Sequence, residues 1–572
     1  MTVRFEADSE AAAHRVEAWC GEPLLHEGED IAVALASGTV RRQALEAALA
    51  EMERGLPEPS FEWRRDYSLV LGLERVLADP QPRLASGTTL RRHQVDALAG
   101  QLAALISDLE RSAAHDEEED DEADDEPEHG DDPVDELLSD AVEEDDEDED
   151  EEEYEEEEYE DDDEVDEDEA AEPEAGPAAP DPSLAHDPAM AVAPDDEALN
   201  GEEQAPDPGA RRRYRFKHPT ASGKTIAAAG FVEAARTTGV LILTHRRLLV
   251  NQFTNDLSKE GYGGRMHEPV LVGHTTPRTM PLTINTYAWF IKHADQIKPD
   301  VYGVVVCDEA HTALGEKTSA AIRAFDEPIY IGMTATDQLL QKHVGDVFPA
   351  EVADFPLAEA VRRGVVAPLR CIRVRPIASL RQVEIVGGDF DQGQLAAALD
   401  IDPLNLAAAD LYQSRFGDTP GIVYAAGVEH AERVAAAMRA INLKARAVSG
   451  RTPPRELAET LAAYERGEIN VLVNAQILAE GWNAPRATVC MHLAPTASRR
   501  VYQQRVGRIM RLHRRKEAGI VVDFAEVGAP HSERVVTLHS LLDVDAYRPA
   551  GLVTPPPPRR RRGRRKPAKP IV

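Results

Sequence analysis

The chain has 572 residues and a formal net charge of −43, and this length allows roughly three or four domains. The charge is unevenly distributed: residues 111–210 hold 50 acidic residues and one arginine, and the remainder has a net charge of +6. No run approaches 18 apolar residues, and the N-terminus lacks a basic segment followed by an apolar one, which argues against a membrane helix or a secretory signal. The four cysteines show no C-x-x-C spacing, so buried thiols of a reduced, cytoplasmic protein are the simplest interpretation.

The first predicted region, residues 1–87, is an N-terminal domain of unknown role. It contains amphipathic helical stretches such as Arg41–Glu53 and no motif that indicates chemistry. A further helix with apolar periodicity begins near Leu90 and continues to about Leu109. Residues 88–110, which carry this helix, are assigned together with residues 211–365 to the first of two α/β domains.

Two segments are predicted to be disordered. Residues 111–210 are rich in Asp, Glu, Ala and Pro and cannot bury enough apolar surface to offset chain entropy. Residues 546–572 form a Pro/Arg-rich basic tail. The simplest role for the acidic segment is that of a solvated spacer. Alternatively, it pairs with the basic tail, competes with nucleic acid for a basic groove, or binds a basic protein partner.

From Arg211 onward, apolar strand-like runs alternate with helical stretches, which is typical of a parallel sheet covered by helices on both faces. In the first domain the runs are Tyr214–Lys217, Val240–Leu243, Val270–Val272, Leu282–Ile284, Val304–Val306 and Ile329–Ile331. In the second domain, residues 366–545, they are Ile422–Tyr424, Ala445–Val448, Val471–Val473, Thr488–Leu493 and Ile520–Val522. The sequence therefore predicts two tandem α/β domains linked near residues 366–415, with phosphate-binding residues at the carboxyl ends of strands.

The segment Pro219–Thr225 lies between a predicted strand and a helix that begins at Lys224, which is the context of a phosphate-binding loop. The backbone N–H groups of such a loop, with the helix N-terminus behind them, form a positive site for phosphate oxygens. We expect the Lys224 ammonium to contact the β and γ phosphates of ATP, and the Thr225 hydroxyl to bind Mg²⁺. The other nucleotide-binding residues of the loop are Thr220, Ala221, Ser222 and Gly223.

A pair of carboxylates, Asp308 and Glu309, follows an apolar strand 83 residues after the loop. An aspartate at a strand end is expected to hold Mg²⁺, and the next glutamate is expected to orient or deprotonate the attacking water. The alternative is a solvated acidic turn. The upstream phosphate-binding loop favours the catalytic interpretation.

The second domain contains Gln504–Arg511 on a predicted helix. Arg508 and Arg511 are three residues apart and would share one face of it. Charge that develops on the γ-phosphate requires planar cations with several donors, which arginines supply. The alternative is a basic helix that binds nucleic-acid phosphates or faces solvent.

The motifs P-T-A-S-G-K-T, D-E-A-H, Thr334-Ala335-Thr336 and Q-R-V-G-R-I-M-R, in this order, resemble those of superfamily 2 helicases and translocases. The resemblance covers about residues 88–110 and 211–525. It is greatest to the DEAH branch with XPB-like helicases and type III restriction-enzyme subunits. It implies two RecA-like domains that use ATP and Mg²⁺ to move along nucleic acid.

The resemblance also implies roles for individual residues. Gln94, with Arg91 beside it, would read adenine, and Gly481 in the motif V-like segment Ala479–Asn483 would lie near the nucleotide. The residues expected to couple hydrolysis to movement are His311, Thr334, Thr336 and Gln504. Those expected to touch the nucleic-acid backbone are His245, Arg246, Thr286 and Tyr287.

The chain departs from the family pattern in several places. Ala221 stands where glycine is commoner, Asn483 replaces the usual aspartate of motif V, and the accessory elements of full XPB proteins have no clear counterpart. About 100 residues, half of them acidic, separate the Gln94 helix from the phosphate-binding loop. The acidic segment is therefore interpreted as an insertion into the first domain, at a closure cost that grows only logarithmically with length.

The function expected from these features is that of an ATP-dependent DNA helicase or translocase, with DNA repair or processing as its setting. DNA is favoured over RNA by resemblance alone, because the chain shows T-A-T and Q-R-x-G-R where D-E-A-D-type RNA helicases usually show S-A-T and H-R-x-G-R. Two alternatives remain: an ATP-dependent RNA helicase, and an ATP-gated scaffold whose acidic segment binds basic partners.

Overall fold

The computed structural model describes residues 2–123, 207–335, 341–475, 484–514, 516–525, 534–542, 544–545 and 547–554. The described residues up to Ala113 and from Asp207 onward belong to one compact unit, and Ala114–Ala123 belong to a second. Of the second unit only the helical residues up to Ala123 are described. Most of the predicted acidic segment, most of the basic tail, Thr336 and the motif V-like residues with Gly481 lie outside the described residues.

The N-terminal region is helical. Its helices are α1 (Thr2–Cys20), α2 (Ile31–Ala34), α3 (Val40–Glu53), α4 (Phe61–Trp63), α5 (Leu69–Ala78) and α6 (Arg92–Ala123), with a short π-helix at Arg64–Ser68 between α4 and α5. The helix predicted over Arg41–Glu53 is α3. The helix predicted to end near Leu109 is α6, which continues to Ala123, so the first residues of the predicted disordered segment are helical.

The first sheet has six parallel strands in the spatial order β3-β2-β4-β5-β1-β6. The strands are β1 (Arg213–Lys217), β2 (Gly239–Thr244), β3 (Leu282–Thr286), β4 (Tyr302–Asp308), β5 (Ile329–Thr334) and β6 (Ala350–Asp354). Its helices are α7 (Lys224–Ala234), α8 (Arg247–Leu257), α9 (Tyr287–His293), α10 (Glu316–Ala324) and α11 (Gln341–Val347). Every residue of β2, β4 and β5 is buried, as expected of strands covered on both faces.

One predicted strand, Val270–Val272, is absent. In its place the chain makes a single antiparallel bridge between Leu271 and Ile297. The run is only three residues long, between Pro269, which has no N–H to donate to a ladder, and Gly273, whose φ is +89°. Val270 is buried, and Val272 is 65% exposed. The apolar run therefore supplies one core side chain rather than a strand.

The second sheet has seven strands in the order β11-β12-β10-β13-β14-β7-β15, all parallel except for β15, which is antiparallel to β7. The strands are β7 (Leu369–Val374), β10 (Gly421–Tyr424), β11 (Ala445–Val448), β12 (Val471–Asn474), β13 (Val489–His492), β14 (Gly519–Phe524) and β15 (Leu552–Val553), and a separate hairpin contains β8 (Ile385–Val386) and β9 (Asp389–Phe390). Its helices are α12 (Leu357–Arg362), α13 (Gln392–Leu399), α14 (Asp402–Arg415), α15 (Val428–Ala440), α16 (Pro454–Arg466), α17 (Arg499–Ile509) and α18 (Leu538–Leu541).

The segment predicted to link the two domains is largely part of the second one. β7 pairs with β14 over six residues, and α13 and α14 contribute Leu395, Leu404 and Tyr412 to the core around β10 and β13. The strand Leu369–Val374 was not predicted, because arginines at two of its six positions interrupt the apolar run. We call the first sheet with its helices the first lobe, and the second sheet with its helices the second lobe. The predicted α/β class with two tandem domains is confirmed.

The N-terminal helices pack directly on the first lobe. A Cβ at Gly72 of α5 would lie 1.8 Å from the Ala234 carbonyl oxygen of α7, so only glycine allows this approach. Glu22 is buried and accepts hydrogen bonds from Arg75 Nε (2.8 Å) and Arg236 Nε (2.9 Å). A buried carboxylate requires such paired donors. The N-terminal region and α7 thus share one closely packed interface.

All four cysteines, Cys20, Cys307, Cys371 and Cys490, are free and buried. This agrees with their interpretation as core thiols. Among the described helices, none is both long and apolar enough to cross a membrane.

Candidate nucleotide site

The phosphate-binding loop connects β1 to α7. Ser222 Oγ donates to the Pro219 carbonyl oxygen at 2.7 Å, which closes the loop on itself. Ala221 (φ +70°) and Gly223 (φ +95°) both have left-handed backbone conformations. At Gly223 a Cβ would lie 2.8 Å from Gln94 Nε2, so glycine is required there by backbone and by space. At Ala221 the backbone has the conformation that the commoner glycine would adopt without strain.

Helix α6 braces this loop from behind. Gln94 Nε2 donates to the Gly223 carbonyl oxygen at 3.0 Å, and Gln94 Oε1 accepts from the Arg91 backbone N–H at 2.8 Å. His93 Nε2 lies 3.0 Å from the Ser222 carbonyl oxygen. The structure therefore places Gln94, the residue predicted to bind adenine, next to the loop. Both polar atoms of its side-chain amide are engaged in hydrogen bonds within the protein.

The predicted catalytic carboxylates lie at the end of β4. Asp308 is the last residue of the strand, and Glu309 has a left-handed backbone conformation (φ +48°, ψ +55°). The Lys224 ammonium forms an ion pair with Glu309 Oε1, and His311 Nδ1 lies 3.5 Å from Glu309 Oε2. A non-glycine residue in this conformation carries strain of about 1–3 kcal/mol, which is characteristic of functional sites.

The two carboxylates have different electrostatic environments. Burial raises the pKa of Asp308 to about 6; the Glu309 charge adds to this shift, and the Lys224 ammonium opposes it. Burial also acts to raise the pKa of Glu309, but Lys224 and His311 outweigh it, so the pKa of Glu309 is lowered. Glu309 is therefore ionised at neutral pH. Asp308 is a buried carboxyl group with too little positive charge around it.

These residues fit Mg²⁺ and a nucleotide. The Asp308 carboxylate lacks the neutralising charge that a divalent cation would supply, and Thr225 lies in the first turn of α7. In the described part of the chain, Thr220 Oγ1 and Glu309 Oε2 are buried and make no hydrogen bond. Buried polar atoms are rarely left without partners unless a ligand or water completes them. Thr225 and Asp308 are the residues that would hold the ion.

The second lobe reaches this loop through α17. A Cβ at Gly507 would lie 2.5 Å from Thr220 Cγ2, so the backbone of α17 touches the phosphate-binding loop. Gln503 Nε2 donates to the Ala335 carbonyl oxygen at 3.0 Å, after the end of β5. Between the lobes is a narrow cleft of about 10 Å³, lined by Thr220, Glu309, His311, Ala335, Arg500, Gln503 and Gln504.

The predicted arginine pair does not lie on one helix. Arg508 is buried on α17, but the helix ends at Ile509, so Arg511 lies beyond it and the two cannot share a helical face as predicted. Burial and the neighbouring Arg508 lower the pKa of Arg511 to about 9, against the opposing charges of Asp256 and Glu465. The two guanidinium groups are therefore close to each other, in a site where additional negative charge would stabilise both.

Arg500 is a cleft residue that the sequence interpretation missed. It lies in the first turn of α17 and lines the cleft together with Glu309 and His311. With the described residues its guanidinium makes no hydrogen bond or ion pair. The available signal was the run Ser498-Arg499-Arg500, in which Ser498 Oγ accepts from the Val501 N–H and caps α17.

Two of the predicted coupling residues, His311 and Thr334, meet inside the first lobe. His311 Nδ1 lies 3.4 Å from Thr334 Oγ1, and both side chains are buried. Gln504 lines the cleft opposite them. The structure thus connects the turn after β4 to the end of β5 and to α17.

The residues predicted to touch nucleic acid lie at the carboxyl ends of β2 and β3. His245 and Arg246 follow β2 and are half-buried. Thr286 Oγ1 accepts from the Trp289 N–H at 3.1 Å and caps α9. Tyr287 is only 5% exposed, and its hydroxyl donates to the Asp308 carbonyl oxygen at 2.9 Å. This placement differs from the predicted backbone contact of Tyr287, because its ring faces the core.

A buried polar network anchors α17 to its sheet. Asp523 accepts from the Tyr502 hydroxyl (2.9 and 2.8 Å to its two carboxylate oxygens) and from the Leu538 N–H (3.2 Å), and lies 2.9 Å from His492 Nδ1. Cys490 Sγ is 3.3 Å from His492 Nε2. Although this resembles a nucleophilic triad, burial raises the pKa of the Cys490 thiol far above its usual range, so the network is structural.

Two family matches cover the two lobes. Residues 194–339 match the res subunit of type III restriction enzymes, and residues 407–513 match the helicase conserved C-terminal domain. Both matches contain residues described above: Lys224 and Glu309 in the first, and Gln504 and Arg508 in the second.

The individual relatives have low sequence identity to this chain. A "51.5 kDa protein" of a Lactococcus phage is 24% identical over 54% of this chain and 64% of its own length. The "DNA 3'-5' helicase XPB" of Mycobacterium tuberculosis is 22% identical over 51% of this chain and 54% of its own. A solved ATP-dependent type ISP restriction-modification enzyme, LlaBIII bound to DNA, aligns over 58% of this chain and 28% of its own with 14% identity and a TM-score of 0.42.

The chain spans about half to two thirds of the length of these two curated relatives. The two domain matches lie in the order of the two lobes and contain the motif residues. In these two domains the chain is similar to superfamily 2 helicases of the branch with XPB-like and type III restriction subunits.

Proposed function

We propose that this chain hydrolyses ATP between its two lobes and uses the cycle to move along DNA as a helicase or translocase. The observation that carries the proposal is the contact of Gly507 with Thr220. It places the phosphate-binding loop, Glu309 and α17 around one cleft. A site shared by two lobes couples the presence of nucleotide to their separation.

The residues suggest a division of chemical work. The N–H groups of the loop and the Lys224 ammonium bind phosphate oxygens. When Lys224 turns to a phosphate it leaves Glu309, whose carboxylate can then accept a proton from water. Mg²⁺, held by Thr225 and Asp308, would supply charge neutralisation at the phosphates. The second lobe supplies cations: Arg500 lines the cleft, and Arg508 and Arg511 lie at and just beyond the end of α17.

Nucleic acid is proposed to bind along the carboxyl ends of β2 and β3, where His245, Arg246 and Thr286 lie. Outside residues 111–210 the chain has a net charge of +6, which favours phosphate binding with a marked salt dependence. DNA is proposed over RNA from the sequence pattern of the motifs and from the XPB relative, which is named as a DNA helicase. A cytoplasmic location and a setting in DNA repair or processing belong to the same proposal.

The deciding experiment measures the ATPase rate without nucleic acid and with single-stranded DNA, duplex DNA or RNA. Glu309→Gln serves as the control and is expected to lower kcat by about 10²- to 10⁴-fold, the usual contribution of a general base. We expect strong stimulation by DNA that disappears in the control. Displacement of a triplex-forming strand then separates translocation from unwinding.

Other outcomes would contradict the proposal. Stimulation by RNA alone would identify an RNA helicase. A slow rate that is the same under all four conditions would point instead to a scaffold. In that case deletion of residues 116–170, which lie largely outside the described residues, is expected to abolish binding of a basic partner.

A further inference from the structure

Tyr287 links two strands across the end of a third. It begins α9 directly after β3, and its hydroxyl donates to the carbonyl oxygen of Asp308, the last residue of β4, at 2.9 Å. In the sheet, β2 lies between β3 and β4. The Tyr287 side chain therefore spans β2, and it packs in the same core cluster as Leu241 and Leu243 of that strand. His245 and Arg246 follow β2 at its carboxyl end.

The acceptor of this bond controls the backbone of Glu309. The Asp308 carbonyl and the Glu309 N–H belong to one planar peptide unit, so holding the carbonyl oxygen fixes the orientation of that plane. Glu309 has φ +48°, a strained value for a non-glycine residue. Strained conformations persist only where the surrounding structure imposes them. The Tyr287 hydroxyl is a contact that does so.

The bond is well protected. Tyr287 is 5% exposed, and burial, together with Cys307 and Asp308, holds its pKa well above the usual range. The phenol is therefore always protonated and remains a donor. A neutral hydrogen bond in a buried position is also stronger than one in water.

His245 connects the same edge to the carboxylates by a second route. In its protonated form, His245 opposes in small part the burial that raises the pKa of Asp308, and it adds to the effect of Lys224 and His311 in lowering the pKa of Glu309. The segments after β2 and β3 thus both act on the acidic pair, one through electrostatics and one through a backbone hydrogen bond. Both segments lie at the carboxyl edge where nucleic acid is proposed to bind.

We propose that Tyr287 is a positioning residue that fixes the Asp308–Glu309 peptide and transmits displacement of the β3–α9 turn to the Glu309 carboxylate. This inference rests on the proposed function of the site. Tyr287 would act through the Asp308 carbonyl oxygen, to which its hydroxyl donates. A shift of its ring would rotate the peptide and change the direction of the Glu309 side chain. Displacement of the carboxyl ends of β2 and β3, where nucleic acid is proposed to bind, could thereby change the rate of ATP hydrolysis.

The test compares Tyr287→Phe with a matched control, Tyr330→Phe. Tyr330 of β5 is also fully buried in the first lobe, and its hydroxyl also donates to a backbone carbonyl, that of Phe325, at 2.6 Å. Each variant loses a hydrogen bond from a buried phenol to a backbone carbonyl oxygen, and Tyr287→Phe also loses the contact of its hydroxyl with the Cys307 thiol. The measurements are kcat and KM for ATP, with and without single-stranded DNA, and the melting temperature.

For Tyr287→Phe we expect a fall of about ten- to a hundredfold in kcat with KM for ATP within about twofold of the wild type, as for a small misplacement of a catalytic group. The fold stimulation by DNA should also decrease. Tyr330→Phe should lower the melting temperature by a similar amount and leave kcat and the stimulation unchanged. A merely structural role of Tyr287 predicts the same kinetics for both variants.

The outcomes separate this inference from the proposed function. An active, DNA-stimulated wild type whose Tyr287→Phe variant keeps kcat and stimulation would overturn the inference alone. Equal losses in both variants would also overturn it. A wild type without ATPase activity would contradict the proposed function, and a wild type with activity but no stimulation would leave the kcat comparison as the test of the positioning role.

Discussion

The two lobes contribute to the candidate site in different ways. The first lobe supplies loops at the ends of β1 and β4, in which Ala221 and Glu309 have strained, left-handed backbones. The second lobe supplies the side of a regular helix, α17, held by a buried network around Asp523. In the first lobe the backbone itself forms the site. In the second lobe, side-chain packing decides which residues of a helix face the cleft.

The largest effect is expected from breaking the packing of the second lobe. Asp523→Ala removes the acceptor of Tyr502 and Leu538 and the partner of His492, and leaves buried donors unpaired. We expect the free energy of unfolding to fall by about 3–5 kcal/mol. Urea denaturation measures this change.

A control in the same lobe sharpens the result. Glu429 forms an ion pair with Arg451 at the exposed surface, and Glu429→Ala should leave the urea midpoint unchanged. An unchanged midpoint for Asp523→Ala would show that α17 is held by other contacts.

The second-largest expected effect is a loss of ATPase activity when an arginine of α17 at the cleft is replaced. Arg500→Ala removes a cation beside Glu309 and His311 and should lower kcat about 10²-fold, in the range seen when one preorganised donor is removed from an active site. ATP affinity should fall more than ADP affinity. Steady-state ATPase assays and nucleotide titrations check both expectations.

Arg499 provides the matched control for this variant. It is adjacent on the same helix, but its Nη2 donates to the Leu541 carbonyl oxygen at 3.4 Å, outside the set of residues that line the cleft. Arg499→Ala should stay within about threefold of the wild-type kcat. Equal losses in both variants would indicate a general effect on α17 rather than a role for Arg500.

The smallest effect tests strain in the first lobe. Ala221→Gly relieves a left-handed alanine (φ +70°), a conformation that costs about 1–2 kcal/mol. The added conformational entropy of the unfolded chain offsets about 0.4–1 kcal/mol of this gain, so we expect a net stabilisation of about 1 kcal/mol or less. Ala550 has φ +53° far along the chain, in the turn before β15. Ala550→Gly should give a similar stabilisation without changing nucleotide affinity, whereas Ala221→Gly should change it. Thermal unfolding and nucleotide titration distinguish the two variants.

The difference between the backbone loops of the first lobe and the helix face of the second lobe also explains which site residues could be predicted from the sequence. Lys224, Asp308 and Glu309 occur in short motifs at strand ends, and the parallel sheet brings the carboxyl ends of β1 and β4 to the same edge. The position of Arg500 at the cleft, rather than that of Arg508 or Arg511, could not be predicted from the sequence. The face of α17 that contacts the loop depends on contacts between the lobes, such as that of Gly507 with Thr220. A helix carries little information about its own orientation.

Tyr287 shows the same limit within the first lobe. Its place after β3 was predicted, but whether its ring faces outward or toward β4 depends on packing between elements. The β7 strand was missed for a related reason. Two arginines interrupt its apolar pattern, and its partner β14 lies about 150 residues away in sequence.

The close approach of α5 to α7 has a practical consequence. Residues of the N-terminal region, including Val40, Leu69 and Leu84, belong to the same hydrophobic core as Phe216 and Phe231 of the first lobe. A shortened protein that starts at residue 88 would therefore expose the apolar side of the helix that begins with Lys224. The N-terminal helices form part of the hydrophobic core of the first lobe, and the smallest soluble form of this protein should include them.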